Sequence, residues 1–313
     1  MVLSEPMPAP LIDRQLLERL ERLTIFWQKS FRGLVGGHND SRYSGPGIEF
    51  LDHRRFHQGD DLRAVNWRAY LRLEKLFLKT FQTEPRTPIR LLLDASASMA
   101  AGAGAGEITK FDFARRLTAA LTYVGLVRHD AIVIQPFHET LDESCLASGG
   151  RHRFGPVTDF LMAQETRGRS AFMETARQFL ARYNSAGLAI VISDFFDDAD
   201  VLRPLQYLSD FGHELMLVQV WSPSEREPGA DGELHLEDAE TGAVLELSLD
   251  ATARRACTDA FDDYANALER LALRNGVRYC GFSTALSLED AVGRTLEFES
   301  GEARRGLTPT GRR

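Results

Sequence analysis

The chain has 313 residues, 43% of them hydrophobic and 26% charged, which is ordinary for a soluble globular protein with a sizeable core. Its formal net charge of −8 argues against a general nucleic-acid-binding protein, because neutralising phosphates requires clustered Lys and Arg. Three widely separated cysteines favour a reducing compartment, and no stretch approaches the roughly 18 apolar residues of a membrane span, so we expect a cytoplasmic protein.

Residues 1–86 predict an N-terminal region that is first helical and then β-rich. Apolar residues at helical spacing predict an amphipathic helix between residues 11 and 31. A loop rich in Gly, Ser and Asn follows and ends in a short strand. The segment LFLKTFQTE alternates apolar and polar residues, which predicts a strand with one solvent-facing side.

Residues 87–285 alternate continuous apolar strands with helices, and residues 286–313 are expected to form a C-terminal tail. The strands are expected at 89–94, 131–137, 187–194, 213–221 and 277–283, with a hairpin that turns at 240–242 and a long helix over 251–274. Strands of this kind are buried on both faces. The fold class is therefore predicted to be α/β, with a doubly wound, mostly parallel sheet covered by helices.

Polar side chains follow two of these strands at the point where each strand ends. The segment LLLDASASM places Asp94, Ser96 and Ser98 directly after the first core strand, and GLAIVISD ends at Asp194. In open parallel sheets, ligands bind beyond the carboxyl ends of the strands. Carboxylate and hydroxyl oxygens suit Mg²⁺, so we favour a metal site. The alternative is a polar loop whose Asp or Ser caps the next helix.

The segment TRGRSAF lies between these two strand ends and offers one more hydroxyl. Either Ser170 or Thr166 could supply it. We assign Ser170 to the metal site and keep Thr166 as the alternative.

The segment DASASM resembles the metal-ion-dependent adhesion site of von Willebrand factor A-type domains, and the order of strands and helices from 87 to 285 fits that fold. More narrowly, the chain resembles the bacterial domain of unknown function 58 family over about residues 30–285. The resemblance is carried by SGPGIEF, RRFHQGDDLRAVNWRAY, LFLKTFQTE, LLLDASASM, Lys110, SDFFD and LEDAETGAVLEL.

The resemblance implies a set of site residues, a cofactor and a partner. It assigns Asp94, Ser96 and Ser98 to the adhesion-site loop and Asp194 to the acid of the later strand. Ser170 stands where the family usually has a Thr after Gly. The implied cofactor is Mg²⁺ (or Mn²⁺ or Ca²⁺), and the implied partner is a MoxR-type AAA+ ATPase or its client protein.

These observations lead us to expect a non-enzymatic, metal-dependent protein-binding module, without catalytic or organic-cofactor-binding residues. A metal-assisted hydrolase using the same acids is the alternative, but the sequence offers no general base beside the metal loop. A scaffold with a degenerate metal loop is a further alternative. The segment AGAGAGE lacks the Gly-Lys-Ser/Thr of a phosphate loop. We interpret the GDDLR…W block as a structural brace around a packed Trp67.

Overall fold

The larger of the two units into which the chain divides is built on a six-stranded sheet. This unit contains Met1–Phe31 and Thr87–Arg313, and the smaller unit is Arg32–Arg86. The computed structural model describes residues 10–27, 44–45, 49–55, 65–82, 89–100, 108–196, 201–229 and 232–297. The strands in these ranges are β1 (Ser44–Gly45), β2 (Glu49–Arg55), β3 (Phe77–Gln82), β4 (Ile89–Asp94), β5 (Ile132–Phe137), β6 (Cys145–Ala147), β7 (Leu188–Ser193), β8 (Glu214–Trp221), β9 (Gly232–Glu237), β10 (Val244–Leu249) and β11 (Arg278–Ser283).

The strand order of the large sheet is β6-β5-β4-β7-β8-β11. Strands β5, β4, β7, β8 and β11 run parallel, and only the edge strand β6 pairs antiparallel with its neighbour β5. Strands β5 and β6 extend the sheet on one side of β4, and the chain then returns to add β7, β8 and β11 on the other side. This order creates a topological switch point between β4 and β7, where a doubly wound sheet opens its crevice.

Helices cover both faces of this sheet, which explains why its central strands are almost wholly apolar. The helices in the described ranges are α1 (Arg14–Trp27), α2 (Trp67–Leu73), α3 (Lys110–Val127), α4 (Phe154–Met162), α5 (Phe172–Arg182), α6 (Leu202–Asp210), α7 (Pro223–Arg226), α8 (Ala251–Arg274) and α9 (Leu288–Glu297). Helix α3 contacts α1, α4 and α9 on one face, while α5, α6 and α8 contribute to the core on the other. The predicted doubly wound, mostly parallel α/β class is confirmed by this architecture.

Two helices extend the larger unit beyond the predicted range 87–285. Helix α1 packs on α3, and the Tyr123 hydroxyl of α3 donates to the Glu21 carboxylate of α1. Arg151, in the turn before α4, also pairs with Glu21 at 2.8 Å. Helix α9 also packs on α3, although its residues lie in the segment expected to be a tail. The amphipathic faces of both helices are therefore used in packing on the same partner.

The long helix and the hairpin follow the sequence closely. Helix α8 spans the predicted 251–274 and is capped at its start by Asp250, which accepts the N–H groups of Thr252 and Ala253. It ends before Gly276, whose φ of +68° is the left-handed conformation that glycine adopts at a helix end. Strands β9 and β10 pair antiparallel and flank the predicted turn.

The smaller unit contains a three-stranded antiparallel sheet of order β1-β3-β2 and the short helix α2. Trp67 opens α2 and makes an edge-on contact with Tyr70, with 6.2 Å between ring centroids. Its side chain is 56% exposed, so the expectation of a packed Trp67 is wrong. The GDDLR segment, residues 59–63, lies outside the described residues. Across the described ranges, every helix is too short or too polar to cross a bilayer.

Candidate metal site at the sheet switch point

Asp94 ends β4 at the switch point, and its carboxylate is completely buried. The three leucines before it fill the core, so the strand carries the carboxylate inward with it. One carboxylate oxygen, Oδ1, accepts the backbone N–H of Ser96 at 2.9 Å. The other, Oδ2, accepts the hydroxyl of Ser193 from β7 at 2.6 Å. These bonds fix the carboxylate between the ends of two neighbouring strands.

The electrostatic environment of Asp94 disfavours its charged form. Burial, followed by the nearby negative charge of Asp194, raises the pKa of Asp94 to about 7, although the bonds from Ser193 and Ser96 act in the opposite direction. Among the described residues, no Lys, Arg or His forms an ion pair with Asp94. The carboxylate is thus positioned by hydrogen bonds without a cation to compensate its charge.

The two serines of the loop present neighbouring hydroxyls. Ser96 is fully buried and Ser98 half-buried, and their Oγ atoms lie 3.1 Å apart. The chain turns at this point into a short 3-10 helix, Ala97–Ala100. Because each serine hydroxyl has two lone pairs, both oxygens can also coordinate a cation.

Ser170 belongs to a second loop, residues 166–170, which is hydrogen-bonded to the loop that carries Ser96 and Ser98. The N–H of Ala97 donates to the Gly168 carbonyl at 3.0 Å, and the N–H of Arg167 donates to the Ala95 carbonyl at 2.8 Å. Gly168 has φ of +64°, and a Cβ there would lie 3.2 Å from the His138 ring, so this turn requires glycine. Ser170 itself is 8% exposed. Thr166, which carries the alternative hydroxyl, is half-buried and immediately precedes Arg167.

Asp194 lies just beyond the end of β7 and is held by a buried ammonium. Lys110, the first residue of α3, places Nζ 2.6 Å from Asp194 Oδ2 and also contacts the Glu225 carboxylate. Burial lowers the pKa of Lys110, but Asp194 and Glu225 outweigh burial and leave that pKa above its ordinary value. The second Asp194 oxygen accepts the N–H of Phe196 at 3.1 Å. Both oxygens of Asp194 therefore have hydrogen-bonding partners, so Asp194 would act on a bound cation indirectly.

Sequence reasoning gave Lys110 no role beyond the family resemblance and missed Glu225 entirely. Glu225 caps α7 in a reciprocal arrangement with Ser222, which is a recognisable sequence pattern. That pattern explains its position at the helix start, but it does not indicate contact with a lysine 115 residues away.

The residues at this site suit a hard divalent cation with oxygen ligands. Asp94, Asp194 and Glu225 oppose one ammonium, so three negative charges and one positive leave two negative charges when all four groups are ionised. In the described part of the chain no three His, Cys, Asp or Glu side chains are arranged to hold a metal ion. A site here would thus use Asp94 with hydroxyls and water, as Mg²⁺ sites commonly do.

A protein-family model matches most of this chain. Residues 52–267 match the family model described as "Protein of unknown function DUF58". The chain is 28% identical over 276 residues to an uncharacterized protein of Mycobacterium tuberculosis, Rv1480, covering 86% of this chain and 83% of that protein. A Mycobacterium avium protein, MAV169, also uncharacterized, is 34% identical over 97 residues, which cover 30% of this chain and 53% of its own length.

Solved structures similar to this chain include two of low sequence identity. BatB from Bacteroides thetaiotaomicron is 13% identical with a TM-score of 0.42, covering 69% of this chain and 100% of its own. A von Willebrand factor type A protein from Catenulispora acidiphila is 12% identical with a TM-score of 0.40, covering 72% and 44%. The fold assignment made above rests on strand order and register.

Proposed function

The chain belongs to the DUF58 family of proteins of unknown function, and we propose that its larger unit is a divalent-metal-dependent protein-binding module. The observation that carries this proposal is Asp94, a fully buried carboxylate with fixed geometry and no ion-pair partner among the described residues. An uncompensated buried charge is costly, and a bound cation is a common way to offset that cost.

Four side chains would hold the metal. Asp94, Ser96, Ser98 and Ser170 would offer oxygens directly or through water, whereas Asp194, tied to Lys110, would act through hydrogen bonds. A Mg²⁺ ion bound by few protein carboxylates stays electrophilic and can accept a carboxylate oxygen from another protein. The residues of this chain would hold the cation at the sheet edge and leave one side of it accessible.

The proposed partner is a MoxR-type AAA+ ATPase or a client protein of such an ATPase. The support for this choice is the family resemblance of the segments around Asp94 and Lys110, while the site itself supports only the chemical class of the ligand, an acidic side chain. Arg169 is exposed beside Ser170, and its positive charge favours the approach of an acidic side chain, whereas Arg167 is paired with Asp142 at 2.8 Å.

The alternative function, a metal-assisted hydrolase, requires a general base near the metal. His138 is the histidine closest in sequence to the end of β5 and lies against Gly168 of the second loop. Its Nε2 accepts the guanidinium N–H of Arg167 at 3.3 Å, so its lone pair is directed at a cation. Arg167 thus occupies the Nε2 lone pair that a general base would need, which favours binding over hydrolysis.

The proposal is tested by co-purifying the candidate AAA+ ATPase with the tagged protein, in Mg²⁺ or in EDTA. We expect recovery in Mg²⁺ for the wild type and for Asp159→Ala, an exposed acid on α4 that serves as the matched control. Recovery should fail for Asp94→Ala and in EDTA. Equal recovery in all lanes would contradict a metal-dependent interaction.

A further inference from the structure

Glu240, at the tip of the β9–β10 hairpin, contacts the second loop of the candidate metal site. Its Oε1 lies 3.4 Å from the backbone nitrogen of Ser170 and 3.5 Å from the Ser170 hydroxyl, and both of these groups are the donors. The Glu240 carbonyl also accepts the guanidinium N–H of Arg169 at 3.3 Å. The hairpin is thus joined to the 169–170 segment by side-chain and backbone contacts together.

The backbone of the hairpin turn is held by hydrogen bonds to Asp238. Asp238 Oδ1 accepts the N–H groups of Glu240 at 2.9 Å and Thr241 at 2.7 Å, and Gly242 adopts φ of +67° to close the turn. Residues 235–239 are exposed, whereas Glu240 is half-buried. The turn geometry therefore holds the backbone independently of the Glu240 side chain, and that side chain contacts Ser170 of the second loop.

We propose that Glu240 is a positioning residue for the metal site and acts through the hydroxyl of Ser170. A hydroxyl has one proton and two lone pairs, so a serine that donates its proton to Glu240 keeps its lone pairs for a cation. Outer carboxylates of this kind orient the groups that touch a metal and increase their basicity. This inference rests on the proposed function, because it assumes that Ser170 faces a bound cation.

The contact between the Ser170 hydroxyl and the Glu240 carboxylate is long for a charge-assisted hydrogen bond. A distance of 3.5 Å is at the long end for a hydroxyl donor and a carboxylate, where 2.5–2.7 Å is usual for a charge-assisted bond. A hydroxyl that coordinates a cation becomes a stronger donor, and it would strengthen the bond to Glu240. The hairpin would then be more firmly attached to the site in the presence of metal than in its absence.

The test is a double-mutant cycle on Mg²⁺ affinity, measured by calorimetry on the full chain. The variants are Glu240→Ala, Ser170→Ala and the double variant, with Glu237→Ala as the matched control that removes an exposed acid from the same hairpin. We expect Glu240→Ala to weaken Mg²⁺ binding about tenfold. Glu237→Ala should stay within about twofold, because a solvated charge is screened by salt. The double variant should bind no more weakly than Ser170→Ala alone.

Conservative replacement and hydrogen exchange provide the second readout. Glu240→Gln retains an acceptor oxygen and should recover much of the affinity, and Mg²⁺ should slow amide exchange at residues 238–243 in the wild type but not in Glu240→Ala. Additive losses in the double variant, or equal affinities for Glu240→Ala and Glu237→Ala, would overturn this inference while the metal site stands. Absence of any Mg²⁺ binding to the wild type would instead overturn the proposed function, and this inference with it.

Discussion

The Nζ atom of Lys110 lies 2.6 Å from Oδ2 of Asp194, although the two residues are 84 positions apart and each side chain is only 1% exposed. The same ammonium contacts Glu225 and lies over the Phe196 ring, 5.6 Å from its centroid. This buried cluster fixes the start of α3 against the ends of β7 and β8. It therefore supports the edge of the sheet that carries the candidate metal site.

Replacing Lys110 by Met should destabilise the protein by about 3–5 kcal/mol, because the change leaves two carboxylates without their buried cation. Urea denaturation in EDTA measures the free energy of unfolding. The matched control is Arg226→Met, which breaks the partly exposed pair of Arg226 with Asp262 and should cost at most about 1 kcal/mol. Similar losses for the two variants would mean that the Lys110 cluster contributes no more than a surface ion pair.

Asp94→Asn should stabilise the protein in metal-free buffer. The raised pKa of Asp94, about 7, means that the folded state holds its proton more tightly than the unfolded chain does. The stability that this proton provides is therefore lost as the pH rises from about 4 to about 7. Above pH 7 the Asn variant, which has no charge to bury, should be more stable by about 1–3 kcal/mol in thermal melts.

The control for this prediction is Asp159→Asn on the exposed face of α4, which should change stability by less than about 0.5 kcal/mol. Added Mg²⁺ should raise the melting temperature of the wild type and of this control, but not that of Asp94→Asn. A metal-free Asp94→Asn protein that melts below the wild type would show that the carboxylate is compensated in some other way.

The ends of β4 and β7 were predictable because a parallel sheet imposes strong local patterns. Continuous apolar runs located both strands, and an acid directly after each run indicated Asp94 and Asp194 as neighbours at one edge. The C-terminal cap at Asn275 and Gly276 similarly depends on local backbone chemistry. The edge strand β6 escaped prediction because three residues are too few to establish a period.

The contacts of Lys110 and Glu240 could not be predicted because they depend on tertiary placement. Lys110 follows an N-cap, Thr109, and in sequence it resembles any solvated residue at a helix start. Glu240 occupies a hairpin turn, where an exposed acid is common, and its contact with Ser170 crosses 70 residues. Local patterns identify the groups that end each element, but only the packed fold reveals which of them meet.

Stability should also fall on acidification because of His213, which is 4% exposed and has an edge-on ring contact with Phe179, with 5.3 Å between centroids. Burial, and then the charge of Arg90, lower the pKa of His213 from its ordinary value of 6.5. The folded state therefore binds this proton less readily than the unfolded chain, so stability is full above about pH 6.5 and declines as the pH falls through the lowered pKa.

Urea midpoints measured across this pH range check the prediction. His213→Asn should flatten the decline, whereas His152→Asn, at an exposed position, should leave it unchanged. An identical pH profile for wild type and His213→Asn would assign the decline to other groups.

Mg²⁺ titration by calorimetry tests the metal-site account most directly, using the wild type, Asp94→Ala and the Asp159→Ala control. The arrangement of Asp94, Ser96, Ser98 and Ser170 predicts a single weak site in the wild type and in the control. It also predicts no binding heat in Asp94→Ala, a protein that stays folded because a buried uncompensated charge has been removed. An isotherm for Asp94→Ala that matches the wild type, or a wild type that binds no Mg²⁺, would contradict a metal site at Asp94.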